Sequence, residues 1–163
     1  MIIIPKSYFV VSGVGEDEIS HINSFDKALS DAGIANYNWV PVSSILPSNI
    51  VEDKTKTLPD EGSILFCVMS RVDGIRGEQI KAGIAVAEGI DENNKRFGFV
   101  VEGSSKEGQF ELRSLLVNKL EVMARIRNMK ILKQNILESS VLKIKQKYGT
   151  AIAVVVFNSY SLR

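Results

Sequence analysis

The stretch WVPVSSILPSNI, Trp39 to Ile50, sets two adjacent serines, Ser43 and Ser44, between an apolar run and the turn-forming Pro47-Ser48-Asn49. A serine pair is common and by itself carries no chemistry. Three further polar residues stand out: Asp26 in a helix-like segment, Asn38 in the run before the serines, and Glu102 at the end of FGFVVE. Ordinary explanations exist: Asp26 as a solvated helix carboxylate, Asn38 as an edge-strand polar residue, and the serines as a loop. Glu102 differs in one respect. A carboxylate ending an apolar strand is expected to be partly desolvated, which raises its pKa and suits it to donate a proton. Glu16, Asp17 and Glu18 would complete an acid–base set with Glu102 only if the fold brought them together, and solvated surface carboxylates are the default.

Composition narrows the chemistry further. The chain has 163 residues, 45% hydrophobic and 24% charged, which is the size and make-up of one ordinary globular domain. Its longest apolar runs, Ile64 to Met69 and Ala151 to Phe157, are far too short to span a bilayer. The N-terminal Met-Ile-Ile-Ile-Pro lacks the basic region and longer apolar core of a secretory signal, so a cytoplasmic protein is expected. The one cysteine, Cys67, excludes an internal disulfide and lies in SILFCVM, where a buried inert thiol is expected. With one histidine, His21, there is no obvious set of transition-metal ligands. The net charge of +1 leaves no electrostatic footprint for nucleic acid. Residues 106–147 nevertheless carry ten Lys/Arg against four Asp/Glu. That reads as a solvated basic helix face, or as one side of a charge asymmetry whose acidic remainder suits a cationic ligand.

The elements that must position these residues follow from periodicity and punctuation. IIIPKSYFVVSG reads as a strand ending at Gly13, and GVGEDE after it as a turn. That segment lacks the third glycine of a dinucleotide-binding loop, and its three carboxylates would repel a phosphate. SHINSFDKALSDAG reads as a helix with Ser20 as N-cap, Ile22, Phe25 and Leu29 on its apolar face, and Gly33 as its stop. ANYNWVPV is a strand running into the serines, and VEDKTKTLPDEG is a surface connection. SILFCVMSRVD, EQIKAGIAVAEG and KRFGFVVEG are successive strands, the last ending at Glu102-Gly103. Residues 106–126 form the strongest helix, striped by Phe110, Leu112, Leu115, Leu116, Leu120, Met123 and Ile126. MKILKQNILESSVLKIKQ and KYGTAIAVVVF are read as two strands of a hairpin centred on Tyr148-Gly149. Many strands with about two long helices predict an α+β sandwich.

The ordered set NSFDKAL, AGIANYN, VSSILP, GEQIKAGIAVA and GFVVEG resembles the pyruvoyl-dependent arginine decarboxylases, from about Gly13 to Glu102 and more weakly beyond. The resemblance implies a single domain, residues 1–163, that cleaves itself between Ser43 and Ser44 into a β chain, 1–43, and an α chain, 44–163. The Ser44 hydroxyl attacks the Ser43 carbonyl, an ester replaces the amide, and elimination then hydrolysis leave a pyruvoyl group at position 44. The position of Asn38 is implied to stabilise the oxyanion. The pyruvoyl ketone takes the substrate amine as a Schiff base and supplies an electron sink, with no metal and no pyridoxal phosphate. Glu102 matches the family's proton donor and Asp26 its guanidinium-binding aspartate, a planar acceptor for a bidentate pair. Ile22, Ala35, Tyr37 and Ile45 would line the pocket. Ala35 and Tyr37 stand where the family can carry Gly and Val, and loop 51–62 is more charged than expected.

The implied fold is a four-layer α-β-β-α sandwich of mainly antiparallel sheets, assembled as a homotrimer with active sites between subunits. The implied reaction is decarboxylation of L-arginine to agmatine, without nucleic-acid or membrane partners. Two other functions remain open at this level: an unprocessed homologue that binds arginine or another cation or serves a structural role, and a pyruvoyl decarboxylase of another amino acid such as histidine or aspartate.

Overall fold

The computed structural model describes residues 1–106, 111–141 and 143–163. In chain order the elements are β1 (Ile3–Asp17), α1 (His21–Asp31), β2 (Asn38–Pro41), β3 (Ile45–Leu46), β4 (Val51–Glu52), β5 (Ile64–Ile75), β6 (Ile80–Asp91), β7 (Arg96–Lys106), α2 (Leu112–Ile126), β8 (Met129–Val141) and β9 (Tyr148–Leu162). They form a five-stranded sheet, β2-β5-β9-β1-β4, and a four-stranded sheet, β3-β7-β6-β8. The β1–β4 and β2–β5 pairs are parallel, and every other described pair is antiparallel.

Strand β9 shows why the apolar runs are continuous. It lies between β5 and β1, and alternate residues face opposite ways. Ala153, Val155 and Phe157 join Tyr8, Val68, Ile84, Val86 and Val100 in a core shared by the two sheets. Ile152, Val154 and Val156 join Phe9, Val11 and Cys67 beneath Ala28 and Leu29 of α1. A strand buried on both faces cannot show a polar alternation. On the other sheet, Ala85, Phe99 and Val101 pack against Leu112, Leu116, Leu120 and Ala124 of α2.

Helix α1 follows its local signals at both ends, but Ile22, expected on its apolar face, is 77% exposed, and the buried positions are Ser24, Ala28 and Leu29. The Ser20 side chain accepts from Asn23 N at 3.1 Å, and Gly33 beyond the helix end has φ +75°, a conformation that costs glycine least. Helix α2 starts at Leu112 rather than near 106, because Lys106 still belongs to β7. Phe110, assigned to the helical stripe from sequence, lies outside the described residues.

Four further expectations need correction. Strand β1 does not end at Gly13, and GVGEDE is no turn; the strand runs on to Asp17. Gly13 and Gly15 are there because α1 lies directly on β1: a Cβ on Gly13 would strike Ala28 O, and one on Gly15 would strike Ser24 O. Residues 35–37 precede the strand that begins at Asn38. Strand β7 passes through Glu102 to Lys106, so Glu102 is not at a strand end. Finally, Tyr148-Gly149 is the start of β9 and not a hairpin tip. Strand β8, with many exposed positions, takes the edge beside β6, while the doubly buried β9 takes an interior place in the other sheet.

Candidate active site

The serine pair sits where the chain passes from one sheet to the other. Strand β2 pairs with β5 through Pro41 and Cys67, and Val42 N donates to Cys67 O at 2.9 Å. Two residues later the Ser44 carbonyl accepts from Val100 N at 2.8 Å, and Ile45 and Leu46 pair with Phe99 and Gly98 of β7. Ser43 and Ser44 therefore bridge two anchored edges, with Ser43 exposed and Ser44 half-buried. Neither has a left-handed backbone; that conformation falls at Asn49, with φ +62°.

Because β7 carries both the partner of Ser44 and, two residues on, Glu102, strand periodicity puts Val100 and Glu102 on the same side of the strand. Ser44 and Glu102 line one cleft of about 410 Å³, walled by Val100 and Val101 and by Lys119, Val122 and Met123 of α2. A second cleft, about 330 Å³, shares Glu102 and Lys119 and is closed by Ser70 and Arg71 of β5. The backbone around Glu102 is pinned on two sides: Lys119 Nζ donates to Glu102 O at 2.7 Å, and Ser70 Oγ donates to Gly103 O at 2.5 Å. The Glu102 side chain is exposed in the single chain, not desolvated as its apolar flank suggested.

The remaining sequence-predicted residues lie elsewhere in the chain. Ile22 and Asp26 are one helical turn apart on α1, both exposed, and neither lines the Ser44 cleft. Arg71 links the two regions, with its guanidinium 4.0 Å from the Phe25 ring and paired with Asp73. Ala35 and Tyr37 are half-buried against the cluster under α1, with Tyr37 OH donating to Pro59 O at 3.1 Å. Asn38 is exposed, and its amide donates to Gly62 O at 2.8 Å, leaving one amide N–H for other use. Ile45 is 47% exposed beside Ser44.

The acidic triplet has separate structural duties. Glu16 accepts from Lys145 N and Gln146 N at 2.8 and 2.9 Å, and Glu18 pairs with Arg76 at 3.0 Å. Asp17 pairs with Lys27 at 2.8 Å and accepts from Ile19 N and Ser20 N; the Lys27 bond and these amides hold its carboxyl down at about 2. Cys67 is fully buried, and burial, with the nearby Glu102 charge, pushes its thiol up to about 11, so it is no nucleophile. His21 packs edge-on to Tyr148, with ring centroids 4.7 Å apart. Among the described residues no three His, Cys, Asp or Glu side chains converge as a metal site, and no helix is long and apolar enough to cross a membrane.

Sequence reasoning missed the α2 wall. Lys119 and Val122 look like solvent-side residues next to an apolar stripe, and no local signal pairs them with Ser44. Their role follows only from α2 packing over β7.

Comparison with known proteins places the whole chain in one family. The family model described as pyruvoyl-dependent arginine decarboxylase matches residues 7–162. A pyruvoyl-dependent arginine decarboxylase of Methanothermobacter thermautotrophicus is 39% identical over 163 residues, covering 96% of this chain and 99% of its own. One from Methanopyrus kandleri is 35% identical over 154 residues, covering 94% and 97%. Pyruvoyl-dependent arginine decarboxylase 2 of Archaeoglobus fulgidus is 36% identical, covering 96% and 99%. With matches this extensive along the same chain that carries Ser44 and Glu102, the protein is an enzyme that belongs to the pyruvoyl-dependent arginine decarboxylase family.

Proposed function

We propose that this chain cleaves itself between Ser43 and Ser44 and then decarboxylates L-arginine to agmatine and carbon dioxide. The observation that carries the reading is the shared cleft of Ser44 and Glu102, with the Ser44 carbonyl held by Val100 N–H. The Ser44 Oγ attacks the Ser43 carbonyl carbon, the C–N bond breaks, and an ester C–O bond takes its place. Loss of the Ser44 α-proton expels the Ser43 carboxylate and ends the 1–43 chain; water then replaces the nitrogen, which leaves as ammonia. Anchors on either side of the Ser43–Ser44 bond, at Val42 N–H and the Ser44 carbonyl, hold the segment while that bond is cut. The second N–H of the Asn38 amide is suited to the oxyanion of this step.

The residues present fit a ketone at position 44: the site is half-buried, opens into the cleft, and faces apolar Val100, Val122 and Met123. That group, once formed, supplies the electron sink that decarboxylation needs. Glu102 delivers a proton to the substrate α-carbon. Val122 and Met123 keep water from the departing carboxylate. Asp26 receives the guanidinium as a bidentate pair, and Ile22, Ala35, Tyr37 and Ile45 line the path of the side chain. Since Asp26 and Ile22 are exposed and do not line the Ser44 cleft, one chain holds only part of this site. A homotrimer with sites between subunits completes it. The same reading arranges α1, the two sheets and α2 as four layers, supported by separate apolar clusters under each helix and between the sheets.

Mass spectrometry of the purified protein, with an agmatine assay, tests the proposal. Fragments 1–43 and 44–163, the second with a blocked N-terminus, and agmatine from arginine are expected. An intact 163-residue chain that binds arginine without product would replace it with a binding role. A cleaved chain that prefers histidine or aspartate would keep the chemistry and reject the substrate.

A further inference from the structure

We propose that Lys119 is a positioning residue for the reaction, fixing the strand that presents Glu102; this rests on the reading of Glu102 as the proton donor. The need for such a residue comes from the sheet itself. Strand β3 covers β7 only at Gly98 and Phe99, and the Ser44 carbonyl takes Val100 N–H. Among the described residues the β3–β7 ladder goes no further. In an antiparallel ladder, alternate residues direct both backbone groups to the same neighbour. Val100 turns its N–H away from β6 toward Ser44, so Glu102, two residues on, turns its carbonyl to that same uncovered edge. A strand edge without a partner is free to shift or to admit water.

Lys119 closes that edge. Its Nζ donates to Glu102 O at 2.7 Å from a helix that is itself firmly seated, since Leu116 and Leu120, on either side of it, are fully buried against β6 and β7. An exposed lysine ordinarily leaves its ammonium in water, because fixing a long side chain costs rotamer entropy. Here the ammonium reaches across to a backbone carbonyl and stands at the junction of the two clefts that share Glu102. Ser70 holds the next carbonyl, Gly103 O, from the opposite sheet. Lys119 and Ser70 therefore fix the peptide that follows the acid, and with it the direction in which the carboxyl points.

The test compares Lys119→Met and Lys119→Arg in the wild type, and Lys119→Met on a Glu102→Gln background, by fragment masses and arginine kinetics. Lys119→Met should cleave normally and lose roughly 10- to 100-fold in kcat with little change in KM, the scale of a misplacement of about 1 Å. Lys119→Arg, which still donates to the carbonyl, should recover most of kcat. On the Glu102→Gln background, Lys119→Met should cause no further loss, because the residue acts through Glu102. Wild-type kcat in Lys119→Met, or an equal fold-loss on both backgrounds, would overturn the proposal while leaving the Glu102 reading intact. Failure of Lys119→Met to cleave would assign the residue to the fold or to processing and overturn it as well. Full activity of Glu102→Gln alone would remove the Glu102 reading and this proposal together.

Discussion

Helix α1 is held to β1 by two glycines, so Gly15→Ala should separate the stability of the fold from the chemistry of the serines. A Cβ at Gly15 would lie 2.6 Å from Ala28 N, 2.8 Å from Lys27 Cβ, and against Ser24 O, whereas ordinary contact begins near 3.4 Å. Two of the three obstacles are backbone, so no rotamer change relieves them. The helix must retreat by about 1 Å, lifting Ala28 and Leu29 from the cluster they form with Phe9, Val11 and Ile152. Overpacking of this kind costs about 3 kcal/mol, at the upper end of its usual range because backbone is struck. For a chain of this length that corresponds to a Tm lower by roughly 6–12 °C. The measurement is thermal unfolding at fixed protein concentration, since the proposed trimer would make Tm concentration-dependent. Ser30→Ala on the exposed side of the helix is the control, expected within about 0.5 kcal/mol of wild type. Because α1 also carries Ile22 and Asp26, the KM for arginine should rise, while cleavage in the serine segment, anchored to β5 through Val42 and to β7 through Ser44, should proceed. An unchanged Tm would refute the packing argument. Lost cleavage, or normal cleavage with an unchanged KM, would refute the division of labour between α1 and the serine segment.

Further tests address the proposed chemistry and one electrostatic feature. Ser44→Ala should leave a single 18.0 kDa chain with no agmatine formation, read by mass spectrometry, because no β-oxygen remains to attack. Asn38→Ala should slow cleavage by about 10²–10³ if its free amide N–H serves the oxyanion, and a time course of fragment formation checks this. Asp26→Asn should cleave normally yet raise the KM for arginine sharply, and steady-state kinetics with arginine and lysine would show whether the planar guanidinium is what it selects. Asp17 has a folded pKa of about 2 against an ordinary 3.8, so its contribution to stability is full above 3.8 and is lost as pH falls toward 2. The stability gap between wild type and Asp17→Asn should therefore narrow over that range in urea titrations and stay constant from pH 5 to 7.

What the sequence determined by itself is whatever rests on near neighbours or on one residue's own chemistry. Helix α1 was legible because its cap and its stop at Gly33 lie within one short segment, although Ile22, expected on its apolar face, is exposed. Cys67 was legible as an inert thiol because the residues beside it in the strand are apolar. The serine pair, Asp26, Asn38 and Glu102 were visible as an ordered pattern, and the family followed from that order. Local reading failed where one residue type serves two purposes. Gly13 and Gly15 look like turn formers, yet they are extended and clear space for a helix that arrives later in the chain. Gly149 looked like a hairpin tip, yet it lies in β9 against Ile144. Only the tertiary structure decided that β8 and β9 belong to different sheets, that Asn38 gives an N–H to Gly62, and that Lys119 meets the Glu102 carbonyl. It also showed Glu102 exposed in a single chain, although its sequence neighbours are apolar. The physical reason is common to all of these. Burial, strand partners and cleft walls are set by which surfaces pack together, and residues far apart in the chain supply those surfaces.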